Sequence, residues 1–94
     1  MRIEWLPIAI DSLQDQLDYI GHRNVDAALS YSRRVEAAVG RLMAHPLLGR
    51  SGHRPGTREL VVSGTPFLVV YRVQDDVITV LRLFHGAQDR PNSP

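Results

Sequence analysis

Three runs of β-branched and aromatic residues dominate the second half of the chain and predict three β-strands. They cover residues 57–62, 67–73 and 77–84. Residues 63–66 and 74–76 separate the runs and contain Gly, Pro and Asp, which favour tight turns. Because connections this short leave no room for a crossover, consecutive strands are predicted to be antiparallel.

An assumed pairing of Val62 with Phe67 and of Val73 with Val77 assigns every strand side chain to one of two faces. The first face is nearly all apolar and is predicted to face the core: Arg58, Leu60, Val62, Phe67, Val69, Tyr71, Val73, Val77, Thr79, Leu81 and Leu83. The second face mixes apolar and charged residues: Thr57, Glu59, Val61, Leu68, Val70, Arg72, Ile78, Val80, Arg82 and Phe84. A face open to water should be mostly polar, so another part of the chain or a partner is expected to cover the second face. A one-residue slip in one strand would exchange the two faces of that strand.

Apolar spacing in the first half of the chain predicts a strand followed by a helix. Residues 1–6 alternate between apolar and polar side chains and predict a fourth strand, whose place in the sheet the sequence leaves open. Pro7 suits the first turn of a helix, and Gly21 is expected to cap its C-terminus. The apolar stripe of this helix is Ile10, Leu13, Leu17 and Ile20.

A second helix is predicted from about residue 25 to residue 44. Asn24 precedes it as an N-cap, and Pro46 ends it because proline disfavours helical backbone at the preceding residue. The short connection makes the two helices antiparallel neighbours. The residues of the two helices expected in the core are Ile10, Leu13, Leu17, Val35, Val39 and Leu42.

These elements together predict an α+β fold in a single domain spanning residues 1–94. An N-terminal strand and an antiparallel helical hairpin are expected to pack on a three- to four-stranded antiparallel sheet. Residues 45–56 are rich in Gly and Pro and are predicted to form a loop. Residues 86–94 form a polar segment that is expected to be a flexible tail.

Composition narrows the classes of function. The net charge of +1 excludes a strong general polyanion binder but not a local basic patch. The absence of Cys excludes disulfides, thiolate metal sites and a Cys nucleophile, and it fits a reducing cytosol. The N-terminus lacks a signal-peptide pattern, and no apolar run approaches the ~20 residues that span a bilayer. The sequence therefore predicts a cytoplasmic protein with no membrane contact and no cofactor.

The order of the elements and several short motifs resemble the ParE branch of the RelE/ParE toxin superfamily. The resemblance runs from about residue 5 to residue 91, and it rests on the joint order and spacing of the motifs rather than on any one of them. The motifs are His45-Pro46, Gly49-Arg50, Gly56-Thr57-Arg58-Glu59-Leu60, Val70-Tyr71-Arg72-Val73 and the final His85.

The resemblance implies the toxin of a bacterial type II toxin–antitoxin system. Such a toxin is neutralised by a cognate antitoxin whose C-terminal segment folds onto it. ParE-like members are associated with inhibition of DNA gyrase, whereas RelE-like members cut mRNA on the ribosome. Several RelE-type nucleases carry an Arg just before the second strand and a Tyr in the tail, where this chain has Phe67-Leu68 and His85-Gly86. The sequence therefore favours the gyrase-directed branch and binding over catalysis.

Candidate binding residues follow from the second face and from the exposed sides of the helices. They are Glu59, Leu68, Val70, Arg72, Val80, Arg82 and Phe84 in the sheet, with Leu29 and Met43 off the helical stripe. For the charged members, structural ion pairing between neighbouring strands is an equally good interpretation. Tyr71 is expected to pack in the core with its hydroxyl reaching the loop.

The alternative function is a ribosome-dependent endoribonuclease. RNA cleavage needs a base, an acid and cations around the phosphate, and the candidates are His85, Arg82 and Glu59. His22, His45 and His53 lack metal-ligand spacing, so no metal site is predicted. The expected partners are the antitoxin and DNA gyrase, with no direct sequence-specific nucleic-acid binding.

Overall fold

The computed structural model describes residues 1–86 and shows two helices packed on a five-stranded sheet. The elements are β1 (Arg2–Trp5), α1 (Pro7–Gly21), α2 (Val25–Arg41), β2 (Arg50–Ser51), β3 (Arg58–Val61), β4 (Phe67–Gln74) and β5 (Val77–His85). The strand order is β1-β5-β4-β3-β2. This confirms the predicted α+β class. The sheet has one strand more than predicted, because two residues of the predicted loop pair with β3 as β2.

The fourth predicted strand, β1, lies beside β5 and runs parallel to it. The other neighbouring strands are antiparallel, which was predicted for β3, β4 and β5. From residue 87 onwards, the predicted tail lies outside the described residues.

The boundaries of the helices follow local capping chemistry. The side chain of Asn24 accepts a hydrogen bond from the backbone N–H of Ala27 at 3.0 Å, which confirms the predicted N-cap. α2 ends at Arg41, three residues before the predicted position, because the backbone from Leu42 on forms tighter i to i+3 hydrogen bonds. α1 ends at Gly21, and the C-cap is His22 rather than the glycine.

The buried stripe of α1 begins one residue earlier than predicted. Ala9 is fully buried, whereas Ile10 is 48% exposed, so the prediction of a core Ile10 is wrong. Ala9 lies four residues before Leu13, and that spacing puts the two on the same side of the helix. The small Ala9 side chain lets the start of α1 lie close against the sheet, where α1 packs on β5.

The hairpin between β4 and β5 sets a different register from the one assumed. Gln74 pairs with Val77, so the turn contains two residues, Asp75 and Asp76, instead of three. Both have positive φ (53° and 62°), as a type I′ turn requires. The pairing of Val62 with Phe67 is confirmed by the hydrogen bond from the N–H of Val62 to the carbonyl of Phe67.

The shorter turn exchanges the two faces at the start of β5. Ile78 and Val80 are fully buried in the core cluster, although both were predicted on the second face. Val80 is therefore wrong as a candidate surface residue. Thr79, predicted in the core, pairs with Arg72 on the opposite side of the sheet.

A β-bulge then restores the predicted faces in the second half of β5. Tyr71 pairs with Val80 and Val70 pairs with Arg82, so that Leu81 is the extra residue. Leu83 consequently lies in the core, as predicted, and Leu81 does not.

The two faces of the sheet now have defined members. The inner face packs on the helices through Leu60, Val62, Phe67, Val69, Tyr71, Ile78, Val80 and Leu83. We call the opposite side the outer face, and its members are Glu59, Val61, Leu68, Val70, Arg72, Thr79, Arg82 and Phe84.

Gly40 offers a test of helix stability that is independent of packing. It lies in the last turn of α2, is exposed, and a Cβ at this position would meet no atom within 4 Å. Gly40→Ala is expected to stabilise the protein by about 0.5–1 kcal/mol, because alanine restricts the unfolded chain and favours helix. Urea unfolding measures the change.

The matched control is Gly49→Ala, whose Cβ would lie 2.8 Å from the ring and hydroxyl of Tyr71 and must destabilise. A lower midpoint for Gly40→Ala would show that α2 does not continue as a helix through residue 40.

Candidate functional site

A groove of about 490 Å³ lies on the outer face of the sheet. Its lining follows the strand order across the sheet. Leu6 and Ile8 come from the side of β1, and His53, Arg54 and Thr57 come from the side of β2. The residues between them are Leu81, Arg82 and Phe84 of β5, Val70 of β4 and Glu59 of β3.

The β-bulge shapes this groove. An extra residue bends a strand and increases its twist, and bulges often occur beside binding sites. Here the bulge places both Leu81 and Arg82 in the lining. A regular strand would have turned one of them toward the helices.

Glu59 is the most constrained charged residue of the groove. Its side chain is only 8% exposed. Its carboxylate accepts hydrogen bonds from the Arg50 guanidinium (Nε at 3.3 Å, Nη2 at 3.1 Å) and from the backbone N–H of His53 at 3.3 Å. Structural ion pairing between neighbouring strands was one interpretation of the charged residues. Glu59 forms such a pair, but with Arg50 and not with Arg72 or Arg82.

Arg72 and Arg82 share the outer face with Glu59, as predicted, but they do not pair with it. Arg50, Glu59, Val70 and Arg82 form one row across four strands, in which Val70 separates Glu59 from Arg82. Within residues 1–86, no carboxylate lies within ion-pair distance of the exposed Arg72 or Arg82. The outer face therefore presents two arginines that no carboxylate of the described residues neutralises.

Tyr71 fixes the segment that leads into β2. It is fully buried, its hydroxyl accepts a hydrogen bond from the N–H of Gly49 and it donates one to the carbonyl of Pro46, both at 2.8 Å. The guanidinium of Arg58 donates to the carbonyl of Gly49, also at 2.8 Å. The predicted core position of Tyr71, with its hydroxyl on the loop, is confirmed.

The nuclease candidates do not converge on one point. His85 pairs with Phe67, whose side chain is in the core, so His85 points to the inner side of the sheet. Arg82 points to the outer side, and the carboxylate of Glu59 is held by Arg50 and His53. The described part of the chain also contains no group of three His, Cys, Asp or Glu side chains that could hold a metal.

The remaining candidate residues differ in accessibility. Leu68 and Val70 belong to the outer face but are only 8% and 7% exposed, so little of either side chain is accessible to a partner. Leu29 and Met43 are about half exposed (52% and 47%) and do not line the groove. Their role in binding stays a prediction.

Sequence reasoning did not identify part of the groove lining, namely Leu6, Ile8, His53, Arg54 and Leu81. One signal was present for Ile8, which lies outside the buried stripe of α1 and is 44% exposed. His53 and Arg54 were predicted only to belong to the loop of residues 45–56. Among the described residues, no helix combines the length and hydropathy that crossing a membrane requires.

Comparison with known proteins supports one family. Residues 3–90 match the family described as the ParE toxin of the type II toxin–antitoxin system parDE. The Y4kP protein of Sinorhizobium fredii is 36% identical over 90 residues, covering 96% of this chain and 93% of that protein. Toxin ParE3 of Caulobacter vibrioides is 35% identical over 71 residues, covering 73% and 69% of the two chains.

The fold is also similar to a solved structure. A chain of the chromosomal ParDE toxin–antitoxin system from P. aeruginosa superimposes with a TM-score of 0.81 at 26% identity. The match covers 90% of this chain and 95% of the other. Together with the motifs in the sequence, these matches show that the chain belongs to the ParE toxin family of type II toxin–antitoxin systems.

Proposed function

We propose that this protein acts in the cytoplasm by binding DNA gyrase and inhibiting it, without catalysis of its own, and that a cognate antitoxin neutralises it. Membership of the ParE family supports a toxin with an antitoxin partner, and the similar P. aeruginosa chain comes from a ParDE system. The choice of gyrase rests on the gyrase association of the ParE branch.

The observation that carries the proposal is the separation of the three nuclease candidates. Cleavage of RNA needs an acid and a base that reach the same phosphate. His85 and Arg82 project from opposite faces of one strand, and Glu59 is occupied by Arg50 and the backbone of His53. Binding without chemistry is the function that this arrangement supports.

The groove supplies a surface suited to binding a protein. Interface residues that contribute most to affinity are enriched in arginine and aromatic side chains beside apolar contacts. Arg82 and Phe84 lie together in the groove with Leu81 and the exposed Leu6. The groove therefore combines an exposed arginine, which pairs with no carboxylate among residues 1–86, with apolar area, as protein-binding sites commonly do.

Purified protein is expected to inhibit supercoiling of plasmid DNA by gyrase. Arg82→Glu is expected to raise the half-inhibitory concentration about 10-fold or more, which corresponds to ~1.4 kcal/mol of binding free energy. The matched control is Arg33→Glu, an exposed arginine of α2 outside the groove, which should inhibit like the parent.

Normal supercoiling at saturating protein would refute gyrase as the target. The nuclease alternative is tested with the same protein in a translation extract. Cleavage of mRNA that His85→Ala abolishes would replace the gyrase proposal with a RelE-like activity.

A further inference from the structure

A second pocket, of about 430 Å³, opens beside β3 and β4 on the inner side of the sheet. Its strand residues are Arg58 of β3 and Val73 of β4. Arg58 pairs with the inner-face residue Tyr71, and Val73 lies two residues further along β4, so both side chains point to the inner side. The rest of the lining comes from residues 47–57. We call this cavity the edge pocket, and its volume is typical of pockets that bind small ligands.

The edge pocket contains two cations and, among residues 1–86, no carboxylate. Arg54 and Arg58 both line it, and neither lies within ion-pair distance of a described Asp or Glu side chain. Residues 37–58 contain four arginines and two histidines and no Asp or Glu. The next residue, Glu59, points to the outer face and pairs with Arg50. The chain around the edge pocket therefore supplies no countercharge of its own.

Arg58 is half-buried, and carbonyl oxygens hold its guanidinium. Its Nη1 donates to the carbonyl of Gly49 at 2.8 Å and to that of Leu47 at 3.5 Å. Both bonds use one nitrogen of a group that carries five N–H donors. Because a cation that is partly removed from water without a paired carboxylate carries a desolvation cost, a bound anion would stabilise Arg58.

A tight turn fixes the backbone of Arg54 beside the edge pocket. The N–H of Thr57 donates to the carbonyl of Arg54 at 3.2 Å, and the Thr57 hydroxyl donates to the same carbonyl at 2.6 Å. Pro55 and Gly56, which has a φ of 80°, occupy the central positions, as in a type II β-turn. The N–H of Gly52 closes the loop on the carbonyl of Thr57 at 2.7 Å. This order exists before a ligand arrives, which lowers the entropic cost of binding.

We propose that the edge pocket binds a phosphate group, either as inorganic phosphate or as a phosphate monoester. The guanidinium groups of Arg54 and Arg58 bind its oxygens. Ser51 lies directly opposite Arg58 across β2 and β3, so its hydroxyl is on the same side of the sheet and donates a further hydrogen bond. This site is separate from the surface proposed to bind gyrase.

The placement of the donors favours phosphate over carboxylate. Arg54 comes from the loop, Arg58 from β3 and Ser51 from β2, so the donors belong to three segments of the chain. A phosphate group offers at least three acceptor oxygens in a tetrahedral arrangement, whereas a carboxylate offers two in a plane. Leu47 and Val73 in the same lining provide apolar area for the organic part of an ester.

Calorimetric titration of the purified protein with inorganic phosphate, and separately with adenosine monophosphate, tests the proposal. Constant ionic strength in all titrations keeps general charge attraction equal. Arg54→Gln is expected to weaken binding about 10-fold or more, because it removes charged hydrogen bonds to the phosphate. Arg54 is exposed and pairs with no carboxylate of residues 1–86, so this variant should fold like the parent, which urea unfolding checks.

The matched control is Arg82→Gln. It removes an arginine that lines the groove but not the edge pocket, so phosphate binding should stay within about twofold of the parent. Arg58→Gln should lower stability as well as affinity, because Arg58 also holds the carbonyl of Gly49. Arg54→Gln therefore decides the test.

The outcomes distinguish the possible ligands. Tighter binding of adenosine monophosphate than of inorganic phosphate would support an ester as the ligand, and binding of inorganic phosphate that the ester does not exceed would support free phosphate. Binding of neither, or binding that Arg54→Gln leaves unchanged, would overturn the site. Acetate that binds as tightly as phosphate would overturn the choice of phosphate over carboxylate.

Discussion

Val80→Asp is expected to abolish folding of the protein, with a loss of more than about 4 kcal/mol of stability. Val80 is fully buried in the core cluster on the inner face, where it pairs with the equally buried Tyr71. An aspartate there would be an unpaired charge inside an apolar core. Domains of this size have only about 5–15 kcal/mol of total stability, so the folded population should be small.

Far-UV circular dichroism and urea unfolding measure this effect. The matched control is Val61→Asp, the same substitution on the outer face of β3, where the parent side chain is 61% exposed. It should cost about 1 kcal/mol or less, from strand propensity alone. Val80→Ala, which removes two methyl groups, should fold with a loss of about 2 kcal/mol and provides a measurable intermediate.

A folded Val80→Asp protein with near-parental stability would place Val80 on the outer face. It would thereby restore the three-residue turn between β4 and β5 and contradict the type I′ geometry of Asp75 and Asp76.

Tyr71→Phe is expected to destabilise the protein by about 2–4 kcal/mol, although it removes a single oxygen atom. The hydroxyl satisfies two backbone groups, the N–H of Gly49 and the carbonyl of Pro46, each at 2.8 Å. Leaving a buried donor or acceptor without a partner costs about 1–3 kcal/mol for each group. Gly49 is itself buried and lies too close to the ring for a side chain, so the segment has little room to rearrange.

Urea unfolding of Tyr71→Phe beside Tyr19→Phe separates this effect from the general loss of a hydroxyl. Tyr19 is 59% exposed and keeps its ring near Arg23 in the variant, so its change should stay within about 0.5 kcal/mol. Equal stabilities for the two variants would mean that water replaces the Tyr71 hydroxyl, and the 46–49 segment would then depend on Arg58 alone.

The sequence was sufficient to predict the fold class because apolar periodicity is a local signal. Spacing and capping preferences within a few residues were enough for the stripe of α2, most of the stripe of α1, the N-cap at Asn24 and the three main strands. β2 was not predicted because two residues in a Gly- and Pro-rich loop are too few to show the alternation of apolar and polar side chains that indicates a strand. They form a strand only because β3 offers them a partner.

The register of β5 could not be read from the sequence with the same ease. Two-residue and three-residue turns both fit the stretch from Gln74 to Asp76, and the choice depends on whether two aspartates adopt positive φ. No glycine at or beside Leu81 indicates the bulge in the sequence. The shorter turn shifts the register of β5 by one residue, and the bulge shifts it back. The predicted faces of Arg82 and Phe84, which follow the bulge, were therefore correct, and that of Val80, which precedes it, was wrong.

Most strand residues of the candidate site could be predicted from the sequence, but its loop residues could not. Glu59, Val70, Arg82 and Phe84 alternate along strands, so a face could be assigned to each of them. The contributions of His53 and Arg54 depend on two hydrogen bonds that bring the loop back over the sheet. The N–H of His53 donates one to the carboxylate of Glu59, and the hydroxyl of Thr57 donates the other to the carbonyl of Arg54. Such contacts are set by the folded loop and have no counterpart in hydrophobic periodicity.

The parallel pairing of β1 with β5 has a consequence for the order of events during synthesis. β5 is an interior strand of the sheet, with β1 on one side and β4 on the other, and Arg2 pairs with Val77. A nascent chain that ends before Val77 has no partner for β1, and α1 can then pack on α2 but not on β5. Contacts this distant in sequence form late and slowly. β1 and α1 can therefore complete their packing on the sheet only after residues 77–85 have been synthesised.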